Sequence, residues 1–263
     1  MPCVPHEERN MSRKLPSSQI RAANEIRHGR FLASHDPERI WGWSTPAGQL
    51  RARRRAQLIT KAAHLGPGLK VLEIGCGTGF FTELFVQSGC HILAVDISAD
   101  LLTLAQKRNI PSSSVTFMQM PFEHIPDLES FDAVIGSSIL HHLDIHQACA
   151  KILALLKPGG KIAFAEPNLF NPQVYLERRF SHWPVFSYTS PDETAFKRGR
   201  LANVLQKTGF INIEIKPFDW LHPSTPSKLI PLISSIGRIL ERVPFLRELS
   251  GSLIISGNKP EML

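Results

Sequence analysis

Residues 136–146 read GSSILHHLDIH, placing three histidines and an aspartate (His141, His142, Asp144 and His146) within six positions. Imidazole changes charge near neutral pH, so the stretch offers proton transfer, metal ligation or plain loop structure. His142 and His146 stand one helical turn apart, the spacing of a helical ligand pair. A metal site needs three or four ligands with an orienting shell. No further Cys or His cluster lies near in sequence, so no metal is expected. His146, at a helix start, reads as structural. His141 and His142 are the candidate general base, with at least one of them expected to serve the loop. Glu166 is the carboxylate that could orient an imidazole or take the proton itself.

A second constellation lies upstream. EIGCGTG (residues 73–79) closes one apolar run and opens a helical one. Gly75, Gly77 and Gly79 allow a tight turn, a close approach of backbone N–H groups to a ligand, and close packing of the following helix. Asp96 ends the next apolar run, where a carboxylate can accept hydrogen bonds from both hydroxyls of a ribose. A dinucleotide fingerprint would need glycine at position 80, which is Phe80, and the G-K-[ST] of a phosphate-binding loop is absent.

These residues need a sheet to hold them. The runs 69–75, 91–98, 115–120, 131–138, 161–168, 211–218 and 251–257 read as strands. Between them, 79–89, 99–109, 146–160 and 192–210 carry helical spacing, with Ser98 a cap for the second. Strands alternating with helices predict an α/β, Rossmann-like, doubly wound sheet, mostly parallel and covered on both faces. His141, His142 and Glu166 then follow the C-terminal ends of neighbouring strands, the edge where open α/β sheets bind ligands.

The G-x-G-x-G spacing after Glu73 resembles the first motif of class I S-adenosylmethionine-dependent methyltransferases. FDAVIGSSILHHL resembles that family's fourth-strand motif, and LKPGGKIAFAE its turn into strand five. The likeness spans roughly residues 66–218 and the last strand, and is nearest the branch acting on small molecules, quinones, sterols and sugars. It implies seven strands with the last antiparallel, and S-adenosylmethionine as cofactor. By position, Glu73 would lie near the methionine ammonium or organise the loop. Gly75, Cys76, Gly77 and Gly79 would form the glycine loop along the methionine and ribose. Asp96 would bind the ribose and Ile97 pack on adenine. Gly136 and Ser137 would approach the amino-acid end. Met120 and Pro121 stand where Gly and Asp are usual, which leaves the Phe122 backbone N–H and apolar walls to hold adenine. In similar enzymes a histidine after strand four and an acid after strand five flank the acceptor.

Around this core, residues 1–20 read as loose, with Met11 a candidate start, and 21–65 as a helical cap. Residues 66–166 read as the cofactor-binding core, and 167–191 and 219–249 as acceptor-side insertions, all within a single domain. Trp41 and Trp43 either wall the acceptor pocket or dock the cap. Asn168, Asn171, Tyr175, Phe180, Trp183, Phe186 and Tyr188 are the other candidate wall. Arg51, Arg53, Arg54 and Arg55 form a charge run that reads first as a solvated helix face, and more sharply as a phosphate or nucleic-acid contact, though nucleic acid is not the expected partner. Residues 227–243 place Leu229, Ile233, Ile236, Leu240 and Val243 on one helical stripe. The leading expectation is a helix docked on its own domain; a homodimer face, a lid or a peripheral membrane contact are the alternatives.

The chain has 263 residues and a formal net charge of +7, which favours anionic partners or membrane surfaces. Four scattered cysteines without a C-x-x-C pair point to a reducing, cytoplasmic setting. No apolar run at the N-terminus reads as a signal peptide, and none is long enough to span a bilayer. The expected activity is methyl transfer to a small, apolar or lipid-like acceptor, with oxygen or carbon favoured as the acceptor atom. The rivals are an RNA or protein acceptor, and a cofactor-binding module without catalysis. A nucleobase acceptor is disfavoured, because GSSI replaces the Asn/Asp-Pro-Pro-aromatic motif and no Pro-Cys nucleophile is present.

Overall fold

A computed structural model describes residues 18–127, 131–180 and 194–261. Three helices come first: α1 (Ser18–Ala33), α2 (Pro37–Ile40) and α3 (Pro46–Ala62). The alternating part follows as β1 (Lys70–Ile74), α4 (Phe80–Phe85), β2 (His91–Asp96), α5 (Ala99–Gln106), β3 (Val115–Gln119), β4 (Phe131–Ser137), α6 (Ile145–Leu155) and β5 (Leu156–Pro167). Then come α7 (Pro172–Arg179), α8 (Arg198–Thr208), β6 (Ile211–Phe218), α9 (Ile230–Leu240) and β7 (Ser252–Asn258). The sheet has seven strands in the order β3-β2-β1-β4-β5-β7-β6. β7 runs antiparallel to both of its neighbours, while the pairs from β3 to β5 are parallel.

Alternation along each strand fills two separate cores. Leu72, Ile74, Val134, Ile162 and Phe164 point to the face covered by α6 and α8. Val71, Ala94, Ala133, Ala163 and Ala165 point to the face where Ala56 and Ile59 of α3 pack. Each wholly buried Leu or Ile contributes about 1.5–3 kcal/mol. On the second face β5 offers only alanines, so α3 lies close to the sheet.

Three boundaries differ from the sequence reading. The helix expected over 146–160 ends at Leu155, and Leu156 already pairs with Phe131. The sheet register shifts before Ala133 pairs with Lys161, so Lys157–Gly160 bulge out of β5. Gly159 supports that bulge at φ +73°, and a Cβ at Gly160 would stand 2.8 Å from the Lys157 carbonyl oxygen. The two glycines therefore make a bulge rather than a helix stop. The helix expected over 192–210 starts at Arg198, because Phe196 is drawn into a bridge with Asn168 beside the end of β5. Finally, Ser18–Ile20 belong to α1, and the rest of the segment expected to be loose lies outside the described residues.

The arginine run also differs from a solvated face. Arg51 donates to Asp219 at 2.8 Å, and Arg54 grips Glu241 with both terminal nitrogens. Arg55 is buried and donates to Ser138 Oγ at 2.9 Å, the Ala165 carbonyl at 3.1 Å and Ser252 Oγ at 2.6 Å. Only Arg53 of the four is exposed. The run ties α3 to the sheet and to the segment after β6.

Candidate active site

A cavity of about 1140 Å³ opens beyond the C-terminal ends of β1, β2 and β4. Strand order reverses between β1 and β4, which leaves a crevice at the switch point of an open α/β sheet.

The glycine loop forms its floor. Gly75, Gly77 and Gly79 all have positive φ (+67°, +53° and +72°). Packing gives two of them a further reason. A Cβ at Gly75 would stand 2.4 Å from the Ile139 side chain, and one at Gly79 would stand 3.0 Å from Ala105 of α5. A Cβ at Gly77 would instead intrude between the loop and the Trp41 ring, 3.4 Å away. Gly75, Cys76 and Gly77 line the cavity, whereas Gly79 serves the packing of α4 on α5.

Asp96 binds this loop from below. One carboxylate oxygen accepts the Gly77 N–H at 2.7 Å and the other accepts the Ser98 N–H at 2.8 Å. Each oxygen keeps a second lone pair, the requirement for accepting two vicinal hydroxyls. Burial pushes the Asp96 carboxyl up from its ordinary range, and the Ser98 and Gly77 N–H groups pull it back. Ile97, Met120, Pro121 and Phe122 continue the wall from Asp96, with Phe122 buried. Ser98 caps α5 as expected, accepting from the Leu101 N–H at 3.3 Å.

Two residues placed in the cofactor site by resemblance lie behind it. Gly136 is not in the cavity wall; a Cβ there would stand 2.6 Å from Ile139. Glu73 is buried under the loop and absent from the wall. Its Oε2 has no hydrogen-bond partner, and burial pushes its carboxyl up to about 8, opposed by the Thr82 hydroxyl and reinforced by Asp96. Ser137 does line the cavity, within 3.4 Å of Arg55.

The histidines separate into three environments. His141 is buried but reaches the cavity, and its Nδ1 lies 2.6 Å from Glu166 Oε2. The other Glu166 oxygen accepts the N–H groups of Ile139 (3.0 Å) and Leu140 (2.8 Å). Burial alone would raise the Glu166 carboxyl, but the charge and hydrogen bond of His141 and these two N–H groups hold it below its ordinary range. His142 turns toward α1, with Nδ1 3.1 Å from Glu25. Arg21 of α1 donates to the His142 carbonyl at 3.3 Å. His146 is exposed on α6, its N–H capped by Asp144. His142 ends a separate 3-10 turn, so it and His146 share no helix. Among the described residues, no group of three or more His, Cys, Asp or Glu stands together as a metal site.

The cap supplies the opposite wall. Trp41 and Trp43 both line the cavity, and Trp43 meets Phe81 edge-on at 5.4 Å. Of the second set, Asn171 reaches the wall, but Asn168 is buried beneath it, donating to the Glu248 and Ser250 carbonyls at 2.7 Å. Tyr175 is exposed, Phe180 does not reach the cavity, and Trp183, Phe186 and Tyr188 lie outside the described residues. Sequence reasoning missed Arg21 and Glu25, and read Arg55 only as part of a charge run. For Arg55 the sequence signal was the small pair Ala163 and Ala165 on one face of β5, which leaves room for a long side chain.

A family model described as a methyltransferase domain matches residues 72–164. The demethylmenaquinone methyltransferase of Corynebacterium urealyticum is 33% identical over 136 residues, 51% of each chain. The ubiquinone biosynthesis O-methyltransferase of Xanthomonas campestris is 33% identical over 138 residues, 49% of this chain and 56% of that one. The chain thus spans about half the length of the curated relatives it matches. Among solved structures, the N-methyltransferase NodS of Bradyrhizobium japonicum, in complex with S-adenosyl-L-homocysteine, superimposes with a TM-score of 0.62 at 17% identity, over 90% of this chain and all of that one. The [4+2]-cyclase SpnF superimposes with a TM-score of 0.61 at 20% identity, over 89% and 95%. Residues 72–164 thus resemble a methyltransferase domain, and the sheet that carries them has the fold of the class I S-adenosylmethionine-dependent methyltransferases.

Proposed function

We propose that the protein transfers the methyl group of S-adenosylmethionine to a small, apolar or lipid-like acceptor bearing an ionisable hydroxyl or carbon acid. The observation that carries this reading is His141, in the wall of the cavity that the glycine loop floors, held from behind by the buried Glu166. Fold alone would not suffice, since a structure of the same fold is a cyclase. The named activities of the relatives, on demethylmenaquinone and in ubiquinone biosynthesis, support a quinone-like phenol as acceptor. Three buried free cysteines, Cys76, Cys90 and Cys149, support a reducing, cytoplasmic setting.

Gly75, Cys76 and Gly77 would hold the cofactor's amino-acid and ribose portion, Asp96 its hydroxyls, and Ile97 and Phe122 its base. The gap that a Cβ at Gly77 would fill fits that arrangement. When bound, S-adenosylmethionine supplies a methyl carbon on a sulfonium, already activated for displacement. The protein's part is to align the nucleophile and exclude water. Trp41 and Trp43 close the site from the cap side. An ionised Glu166 fixes His141 with its proton on Nδ1, which leaves the lone pair of Nε2 to take the acceptor's proton. Glu166 is a positioning residue here, because both of its oxygens are already engaged. His142 holds α1 across the cavity.

The test is transfer of labelled methyl to a panel of catechols and quinols, with S-adenosylhomocysteine binding measured alongside. His141→Ala should lower transfer by about 10²–10⁴-fold, the size of a lost general base, while cofactor affinity stays within a factor of a few. An unchanged rate in that variant with an accepted substrate, or no cofactor binding by the parent, would sink the reading.

A further inference from the structure

The second insertion does not dock as a core helix would. Leu229, Leu232, Ile236, Ile239 and Val243 recur at intervals of three and four, which places them on one face of α9 and its flanking turns. Their exposures run from 37% to 61%, and Phe245, just beyond, is 87% exposed. The only buried residue of α9 is Gly237. A Cβ there would stand 2.9 Å from Trp220, so the helix seats its smallest residue inward and turns its apolar ridge outward.

Charge selects what covers the ridge. Lys228, Arg238 and Arg242 are exposed, and helical spacing sets them along one edge of it. Residues 227–246 contain one acid, Glu241, which is turned inward to grip Arg54 and accept the Asp219 N–H. A second copy laid ridge to ridge would oppose cations with cations and offer no exposed carboxylate from this segment. A bilayer carrying anionic lipid answers both features: the acyl boundary takes the Leu and Ile side chains, and headgroup phosphates take the cations. The chain's net charge of +7 adds a long-range attraction of the same sign.

We propose that α9 and its flanking turns are a membrane-surface anchor that docks the protein on an anionic bilayer. No helix among the described residues is long and apolar enough to cross a membrane, so the helix lies in the interface. It is coupled to the cavity through Trp220: residues 219–224, which lead into α9, line the cavity, as does Gly251 on the return. Docking therefore brings the mouth of the cavity to the lipid surface, where apolar molecules concentrate. The inference stands apart from methyl transfer, because anchoring needs neither cofactor nor acceptor.

Flotation of the whole chain with vesicles tests it. The protein should rise with phosphatidylglycerol–phosphatidylcholine vesicles, bind pure phosphatidylcholine far less, and be released by salt. Ile239→Asp should lower vesicle partitioning tenfold or more. Arg238→Gln and Arg242→Gln should each lower it roughly fivefold. All three positions are exposed, and unchanged S-adenosylhomocysteine affinity in each variant certifies the fold. No binding to the anionic vesicles, or binding that Ile239→Asp leaves intact, overturns the proposal. So does a concentration-dependent dimer that Ile239→Asp abolishes while vesicles bind nothing, which would assign the ridge to a second copy. Either failure leaves the methyl-transfer assay untouched, and a failed assay leaves the flotation result standing.

Discussion

At the scale of single residues, three carboxylates, Glu73 and Glu166 fully buried and Asp96 partly so, have been given different work by their neighbours. Asp96 keeps spare lone pairs toward the cavity. Asp96→Ala should weaken S-adenosylhomocysteine binding by about 1–3 kcal/mol in calorimetry, the cost of a lost buried hydrogen bond; unchanged affinity would move the ribose contact elsewhere. Glu73 lacks such partners and is pushed up to about 8. It holds its proton in the fold at neutral pH but loses it on unfolding above the ordinary ~4.3. Its contribution is complete below that value and is lost as pH rises to about 8, so stability should decline over that interval. Glu73→Gln should flatten the decline in urea melts at stepped pH, and an identical slope in parent and variant would refute the assignment. Glu166, held below its ordinary range, stays ionised through neutrality and keeps His141 in one orientation. Transfer by the parent should fall on acidification as the imidazole is protonated, and His141→Ala should lack that acid limb. A limb of the same shape in the variant would shift the base to another group. The presence of the His–Glu pair was legible from residue types at two strand ends. Which histidine meets Glu166 was not, because the two rings lie 4.2 Å apart in one 3-10 turn and nothing in HHL says which of them takes the carboxylate.

Among the elements, the strands were the most legible. Runs such as KVLEI and HILAVD are buried on both faces, so apolar continuity marks them without tertiary knowledge. The α6–β5 junction was not legible, since a Gly-Gly pair serves a bulge as well as a helix stop. The basic stretch of α3 was misread for a related reason: composition does not distinguish a solvated arginine from one that spans a sheet. Arg55 reaches β4, β5 and β7 together, and burial draws its guanidinium down to about 10, still charged at neutral pH. Arg55→Met should therefore destabilise the fold by about 1–3 kcal/mol in urea unfolding, with Ser252 and Ser138 left without their donor. A variant as stable as the parent would mean that the cost of burying the charge cancels its hydrogen bonds. For α9, periodicity identified an apolar stripe but could not tell inward from outward, because its apolar residues divide between a half-buried side with Ile233, Gly237 and Leu240 and an exposed ridge with Leu232, Ile236 and Ile239.

Across the whole molecule, the cavity is built by two layers of unequal strength. The sheet side is fixed by two continuous cores. The cap side rests on α1, which buries only Arg21, Gly29 and Leu32 among its described side chains. Its attachments include Glu25 to His142, Arg21 to the His142 carbonyl, Arg30 to Asp100 of α5, and Gly29 against Ser98, where a Cβ would stand 2.4 Å from the hydroxyl. With Leu32 its only buried large apolar side chain among those described, α1 is a segment that opens at lower free energy than the sheet. Yet Arg21, Glu25, His28 and Gly29 line the same cavity as Asp96 and Ile97, so a bound cofactor would touch both layers. A ligand that binds only the closed form stabilises it by RT ln(1 + [L]/Kd), about 2.7 kcal/mol at a hundredfold excess over Kd. In hydrogen exchange, the α1 amides should therefore exchange quickly in the free protein and slow by roughly a hundredfold with saturating S-adenosylhomocysteine. The amides of β1 and β4, which exchange only on global unfolding, should gain at most the same factor from a far slower start. If α1 is already as protected as β1 in the free protein, the cap is part of the rigid body and the cofactor must enter by another route. If α1 exchanges fast both with and without ligand, the cap does not close over the cofactor, and Trp41 and Trp43 alone form that wall.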